Sequence, residues 1–121
     1  MSSSINRVTL VGRVGTKPEV KTSKGGRIYT RINIATNSPK YKTEDGIEKP
    51  AQAEWHYVVA WGPLAENCIT YLEKGSLVYI EGYLSSFKNN KAPEGPRYTT
   101  ITARDVQFLA RPFRENQAQT A

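Results

Sequence analysis

The sequence predicts an all-β fold, a five-stranded barrel with one helix between the third and fourth strands. Five segments of the 121-residue chain are predicted as strands, and the clearest of them alternate apolar and polar side chains with the period of a half-buried strand. One segment, after Gly62-Pro63, instead repeats its apolar residues at helical spacing. A chain of this length buries one core and has no room for a second domain.

The first two strands are predicted at residues 7–14 and 27–36, separated by a segment that ends in a Gly-Gly turn. Each is expected to bury one face and leave the other in water. The wet faces carry Arg7, Thr9 and Arg13 in the first strand and Arg27, Tyr29, Arg31 and Asn33 in the second. Residues 37–53 then form a long polar loop with two prolines and Glu-Asp-Gly turn chemistry.

The third strand is predicted at residues 54–62 and the helix at residues 64–73. Five apolar residues of the helix, including Cys68, form one stripe, so Cys68 is expected to be a small core residue. Gly75 is the expected helix stop.

The last two strands are predicted at residues 77–87 and 97–109, with a bend or bulge at Gly82. This order of elements is typical of an OB-fold, a Greek-key barrel that binds single strands across one face. We expect the OB-fold domain to occupy residues 1–110 and a short flexible polar tail to occupy residues 111–121.

The third strand, EWHYVVAWG, holds both tryptophans and the only histidine of the chain. Because side chains alternate along a strand, Trp55, Tyr57 and Trp61 share one face, and the small residues Val58 and Ala60 share the other. If the small residues fill the barrel, the three rings stand outside. The alternative is that the rings form the core and the small residues face water.

The chain is basic, with 17 Lys and Arg against 11 Asp and Glu, and the excess lies in the first half. A basic domain of this size most often binds a polyanion, although charge also serves solubility alone. Flat exposed rings bordered by cations are what unpaired bases need, and each base–ring stack contributes about 1–3 kcal/mol whatever the base.

Other site chemistries find no support in the sequence. One cysteine excludes an intrachain disulfide, and one cysteine with one histidine does not supply a structural zinc site. We expect no metal, no cofactor and no catalytic constellation. The absence of a signal core or a long apolar run predicts a cytoplasmic, nucleoid-associated protein that does not contact a membrane.

The segments NRVTLVGRVGTKPEV, INIAT, EWHYVVAWG, LAENCITYLEKGSLVYIEGYL and RYTT resemble the bacterial single-stranded DNA-binding protein family. The resemblance covers roughly residues 5–109. It implies an OB-fold that assembles as a homotetramer and wraps single-stranded DNA without catalysis, in replication, recombination and repair.

The resemblance also implies roles for particular residues. Trp55 matches a tryptophan on which the family stacks bases, and Trp61 stands where the family usually has phenylalanine. His56 and Tyr79 resemble subunit-contact residues. For the DNA site we expect stacking on Trp55 and Trp61, weaker stacking on Tyr57, Tyr41 and Phe87, and phosphate contacts from Arg7, Arg13, Arg31, Lys74 and Lys88.

Two departures from the family pattern stand out. Asn89 replaces a tryptophan, so one stacking contact is in doubt, and Phe87 on the same strand face is the candidate substitute. The family's acidic, hydrophobic C-terminal tip has no counterpart near Ala121, so recruitment of partner proteins through such a tip is not expected.

Two other functions compete with this interpretation. A primosome-type OB-fold dimer, acting as an accessory or adaptor protein in replication restart, would show a protein partner and weaker DNA affinity. An adaptor whose aromatic face binds protein would remain bound to its partner at high salt and would not respond to oligo-dT. RNA binding stays open, because stacking neither requires nor excludes a 2′-hydroxyl group.

Overall fold

The structure, a computed structural model, describes residues 3–38, 40–88 and 94–112, with backbone alone for Phe87 and Lys88. The long strands are β1 (Val8–Val14), β3 (Ile28–Asn37), β6 (Ala53–Trp61), β7 (Leu77–Lys88) and β8 (Arg97–Ala110). The short strands are β2 (Lys21–Thr22), β4 (Tyr41–Lys42) and β5 (Glu48–Lys49). The helix α1 spans Pro63–Tyr71.

The five long strands close into a barrel. Their order in the sheet is β1-β7-β8-β6-β3, and β1 pairs again with β3 through Arg13–Ala35 and Val14–Ile34. All neighbouring pairs are antiparallel except β6 and β8, which run parallel. This closed barrel, with its helix between the third and fourth long strands, confirms the predicted OB-fold.

One face of each strand fills the barrel. The even-numbered residues in the middle of β3 and at the C-terminal end of β6 are fully buried, namely Thr30, Ile32, Ile34, Val58 and Ala60. The odd-numbered residues of β6 lie outside, so the prediction that the small side chains face inward and the rings face outward is confirmed for this strand.

Helix α1 covers the barrel and packs against β3, β6 and β8. Its buried residues are Ala65 and Cys68, and Leu72 just beyond its end is buried too. Burial raises the pKa of the Cys68 thiol to about 11, from 9.0 for an ordinary thiol, because the core solvates a thiolate poorly. At nine residues, α1 is far too short to cross a bilayer, and it is the one helix in the described part of the chain.

The structure differs from the sequence prediction in the long polar loop. Strand β3 continues through Asn37, and β4 and β5 form a separate two-stranded ribbon around the Glu-Asp-Gly turn. The helix is shorter than predicted, ending at Tyr71, and Gly75 instead supplies the left-handed residue (φ 92°) of the turn into β7.

The bulge expected at Gly82 is present. The pairing of β7 with β8 shifts between Glu81–Asp105 and Gly82–Ala103, which leaves Arg104 without a partner in the ladder. Gly82 is required here because a Cβ would collide with the carbonyl oxygen of Thr102.

Candidate nucleic-acid interface

The candidate site is the outer face of β3 and β6. Nine residue pairs join these antiparallel strands, from Tyr29–Trp61 to Asn37–Ala53. Because the pleat places every second residue on the same side, the pairs of odd-numbered residues all stand outside the barrel. The outward pairs are Tyr29–Trp61, Arg31–Val59, Asn33–Tyr57, Ala35–Trp55 and Asn37–Ala53.

At one end of this face, Trp61 is half-buried against its neighbours. The Tyr29 and Trp61 ring centroids are 4.9 Å apart with an interplanar angle of 32°. The guanidinium carbon of Arg27 lies 4.7 Å from the centroid of the Trp61 ring. A cation over an indole is attracted by the negative ring face, so these contacts hold Trp61 in place.

Further along, Tyr57 and Trp55 are more open, with exposed fractions of 49% and 53%. Arg31 places its guanidinium carbon 5.3 Å from the Tyr57 ring centroid. Trp55 lies against Gly15, whose missing side chain leaves the space that the indole fills. The face therefore carries exposed rings, with guanidinium groups over two of them, an arrangement that supports base stacking and phosphate contact together.

A groove runs from this face across the sheet towards β8 and β7. Its aromatic and cationic side is formed by Lys21, Tyr29, Arg31 and Trp61, and its other side by four hydroxyl residues of β7 and β8. The Ser85 and Thr102 hydroxyls lie 2.9 Å apart, and the Thr100 hydroxyl donates to the Tyr57 carbonyl oxygen at 3.0 Å. This last bond ties β8 to β6.

The other predicted phosphate ligands lie away from this groove. The Arg7 Nε is 3.4 Å from a carboxylate oxygen of Glu81, and the Arg13 Nη1 donates to the Gly75 carbonyl oxygen at 3.0 Å. Lys74 is exposed in the adjoining turn. Arg13 on β1 pairs with Ala35 on β3, and Ala35 pairs in turn with Trp55 on β6. Arg13 therefore lies at the Trp55 end of the face.

Of the remaining predicted residues, Tyr41 is not brought to this face, and the side chains of the other two are not described. Tyr41 lies in the separate β4–β5 ribbon, where it lines an open pocket with Lys40, Lys42 and Lys49. The side chains of Phe87 and Lys88 lie outside the described residues, as does Asn89, and the backbone of β7 pairs Phe87 with Tyr98.

The two predicted subunit-contact residues have polar neighbours within the chain. The His56 Nε2 is 2.9 Å from the Thr36 hydroxyl, and this half-buried pair joins the ends of β3 and β6. The Tyr79 hydroxyl donates to a carboxylate oxygen of Glu81 at 3.3 Å. Both residues keep their subunit-contact role as a prediction.

Sequence reasoning did not include Arg27 or Tyr29 among the site residues. Their position could have identified them, because both lie on the same predicted exposed strand face as Arg31. The four hydroxyl residues of the groove carried no such signal, because serine and threonine are common on exposed strands. Within the described residues, no three His, Cys, Asp or Glu side chains come close enough together to hold a metal ion.

A closed OB barrel with rings and cations on its outer face is the arrangement found in OB-fold proteins that bind single strands. The chain belongs to the single-strand binding protein family, whose family model matches residues 5–109.

Individual relatives agree with this assignment. The chain is 38% identical over 111 residues to single-stranded DNA-binding protein 1 of Chlorobaculum tepidum, covering 90% of this chain and 67% of that one. It is 40% identical over 110 residues to the single-stranded DNA-binding protein of Xanthomonas axonopodis pv. citri, covering 90% of this chain and 60% of that one. The chain thus spans about two thirds or less of the length of these relatives.

A third relative matches along more of its length. Single-stranded DNA-binding protein 1 of Xylella fastidiosa is 33% identical over 120 residues, covering 98% of this chain and 88% of that one. Among solved structures, the Plasmodium falciparum SSB complex with ssDNA is similar, with a TM-score of 0.73 and 28% identity over 90% of this chain and 98% of that one.

Proposed function

We propose that this protein binds single-stranded DNA without sequence specificity, by base stacking and phosphate neutralisation, and protects it during replication, recombination and repair. The observation that carries the proposal is the row of outward rings on β6 with guanidinium groups over two of them. The names of the relatives support the same ligand.

In this proposal, Trp55 and Tyr57 offer open ring faces to the bases, and Trp61 extends the stack at its Arg27 end. Arg31 serves two purposes, because its guanidinium supports Tyr57 and remains exposed to a phosphate. Arg7, Arg13, Lys74 and Lys88 extend the positive surface, and Tyr41 and Phe87 provide outlying stacking positions. Stacking on any base together with phosphate contacts explains binding that tolerates every sequence.

The remaining parts of the proposal concern assembly and organisation. We place the OB-fold domain at residues 1–110, followed by a short polar tail at residues 111–121, of which residues 113–121 lie outside the described part of the chain. The protein assembles as a homotetramer with Tyr79 and His56 at subunit contacts, acts in the cytoplasm on the nucleoid, and performs no catalysis. Val11, half-exposed on β1 and paired with Tyr79, adds apolar surface to the proposed contact.

The test is a titration of the protein with oligo-dT, following tryptophan fluorescence at low and high salt, with the mass measured by light scattering. We expect strong quenching at low salt and weaker binding at high salt, because bound phosphates release counterions. The matched variants are Trp55→Ala and Tyr71→Ala, since both rings are exposed but Tyr71 lies on α1. Trp55→Ala should cost about 1–3 kcal/mol of binding free energy and Tyr71→Ala nothing.

Absence of quenching by oligo-dT at low salt would remove the basis of the proposal. Equal losses from Trp55→Ala and Tyr71→Ala would show that the rings act through stability instead of through contact. A parallel titration with oligo-U separates DNA preference from general single-strand binding.

A further inference from the structure

One row of outward side chains crosses four neighbouring strands of the barrel. Arg31 on β3 pairs with Val59 on β6, Val59 pairs with Thr102 on β8, and Thr102 pairs with Tyr83 on β7. With strands about 4.8 Å apart, the row extends roughly 14 Å across the sheet. It therefore leads from the aromatic face, through the hydroxyl side of the groove, to a ring on the far side.

Tyr83 at the end of this row carries its own cation. The guanidinium carbon of Arg104 lies 4.6 Å from the Tyr83 ring centroid. The bulge opposite Gly82 causes this contact, because Arg104 is the residue skipped by the ladder and its side chain is turned out over the neighbouring ring.

The charge of Arg104 is available to a ligand. The nearby Asp105 carboxylate instead accepts from the Gln107 side-chain amide at 3.0 and 3.2 Å, and the Glu81 carboxylate lies beside Arg7. Within the described residues, the side-chain contact found for Arg104 is the one with Tyr83, and Arg104 itself is exposed.

We propose that Tyr83 and Arg104 form a second nucleic-acid contact position, on which a single strand that leaves the β3–β6 face continues across β8 to β7. The inference rests on the proposed function and adds residues that it does not include. A base stacks on the Tyr83–Arg104 pair while Arg104 neutralises a phosphate. The Thr102 hydroxyl between the two positions, and the Ser85 hydroxyl beside it on β7, offer hydrogen bonds to the bases or sugars.

The pairing of aromatic ring and guanidinium is repeated at both ends of the row. Arg31 approaches Tyr57 at 5.3 Å on β3 and β6, and Arg104 approaches Tyr83 at 4.6 Å on β8 and β7. Two like positions, with the hydroxyl group of Thr102 in the register row between them, suit a repeating polymer of bases and phosphates better than a small ligand.

The experiment compares oligo-dT affinity for the variants Arg104→Gln and Tyr83→Ser with the controls Arg111→Gln and Tyr71→Ser. The controls remove an exposed cation and an exposed ring from another groove, near the end of β8 and the end of α1. We expect a loss of about five- to tenfold at low salt for each test variant. Arg104→Gln should also flatten the salt dependence by about 0.7 in the slope of log affinity against log salt, and the controls should match wild type.

A direct readout uses the wild-type protein. Oligonucleotides containing 5-iododeoxyuridine are photocrosslinked to it, and the modified peptides are mapped by mass spectrometry. Crosslinks at Tyr83 support the proposal, and crosslinks confined to Trp55, Tyr57 and Trp61 contradict it.

Several outcomes would overturn the inference while leaving the proposed function intact. One is wild-type affinity in Arg104→Gln, which removes an exposed side chain and is expected to fold normally. Another is a change in molecular mass for Tyr83→Ser that accounts for its affinity loss, which would make Tyr83 a subunit contact. Failure of the wild-type protein itself to bind oligo-dT would instead refute the proposed function.

Discussion

The Trp55 indole occupies the space that a side chain at Gly15 would need. A Cβ at residue 15 would come within 2.8 Å of the Trp55 Cη2 atom and closer still to Cζ3. The Gly15 backbone is outside the left-handed region, so its lack of a side chain is required by the ring and not by the turn. A residue of the β1–β2 connection thus positions a proposed stacking residue of β6.

The first prediction follows from this contact. Gly15→Ala should turn the Trp55 ring away from its present position, shifting its fluorescence and weakening oligo-dT binding by about 1 kcal/mol, the lower range of one lost stack. The matched control is Gly25→Ala, because residue 25 has open space around it and no positive φ. Equal effects of the two substitutions would contradict the role assigned to Gly15.

The second prediction concerns the salt dependence of binding. Arg31→Gln should reduce the slope of log affinity against log salt by about 0.7, the value for one phosphate contact on a single strand. Titrations at several salt concentrations measure this slope. Arg111→Gln is the control, because Arg111 is exposed and lines a different groove, near the end of β8. An unchanged slope for Arg31→Gln would mean that Arg31 only supports the Tyr57 ring.

The third prediction concerns the end of α1. The Lys17 ammonium donates to the carbonyl oxygens of Ile69 and Leu72 at 3.2 and 3.1 Å, where the helix leaves its last carbonyl groups without helical partners. Lys17→Met should therefore lower the free energy of unfolding by about 1 kcal/mol, measured by urea denaturation. The exposed Lys24, in the turn before β3, provides the control as Lys24→Met. Oligo-dT affinity should stay unchanged, and a large loss of binding without a loss of stability would contradict this role.

The fourth prediction concerns pH. Because the pKa of the Cys68 thiol is about 11 in the folded state and lower when the chain unfolds, the unfolded state loses this proton first. The resulting contribution to stability is complete below pH 9.0 and is lost as the pH rises towards about 11.

Urea denaturation of wild type and Cys68→Ala over this alkaline range measures the effect. The wild-type protein should lose stability more steeply than the variant, which has no thiol. Parallel pH profiles would contradict the prediction. The folded protein should also resist thiol reagents near neutral pH, because the thiol is both buried and protonated.

The sequence predicted those features that depend on local alternation. In β3 and β6 the side-chain period of two is regular, so the buried and exposed faces and the three outward rings of β6 were predicted correctly. The bulge was predictable too, because a glycine inside an apolar strand often marks a bulge or a tight bend.

The features that were missed depend on contacts between distant segments. The β4–β5 ribbon consists of two-residue strands, which are too short to show any period. The cation–ring contacts of Arg27 and Arg104 follow from strand register and from the bulge, which no local pattern specifies. The Lys17 contact joins residues 52 and 55 positions apart, and nothing near Lys17 indicates it.

The parallel junction of β6 and β8 is short, with Val58–Ile101 and Val59–Thr102 as its two register pairs. Val59 and Thr102 of this junction line the groove beside the β3–β6 face. A DNA strand bound across the groove would contact both β6 and β8 and would hold the two strands together. Amide hydrogen exchange along β6 and β8 should therefore slow more on DNA binding than exchange along β1, because the bound DNA stabilises the β6–β8 pairing that closes the barrel.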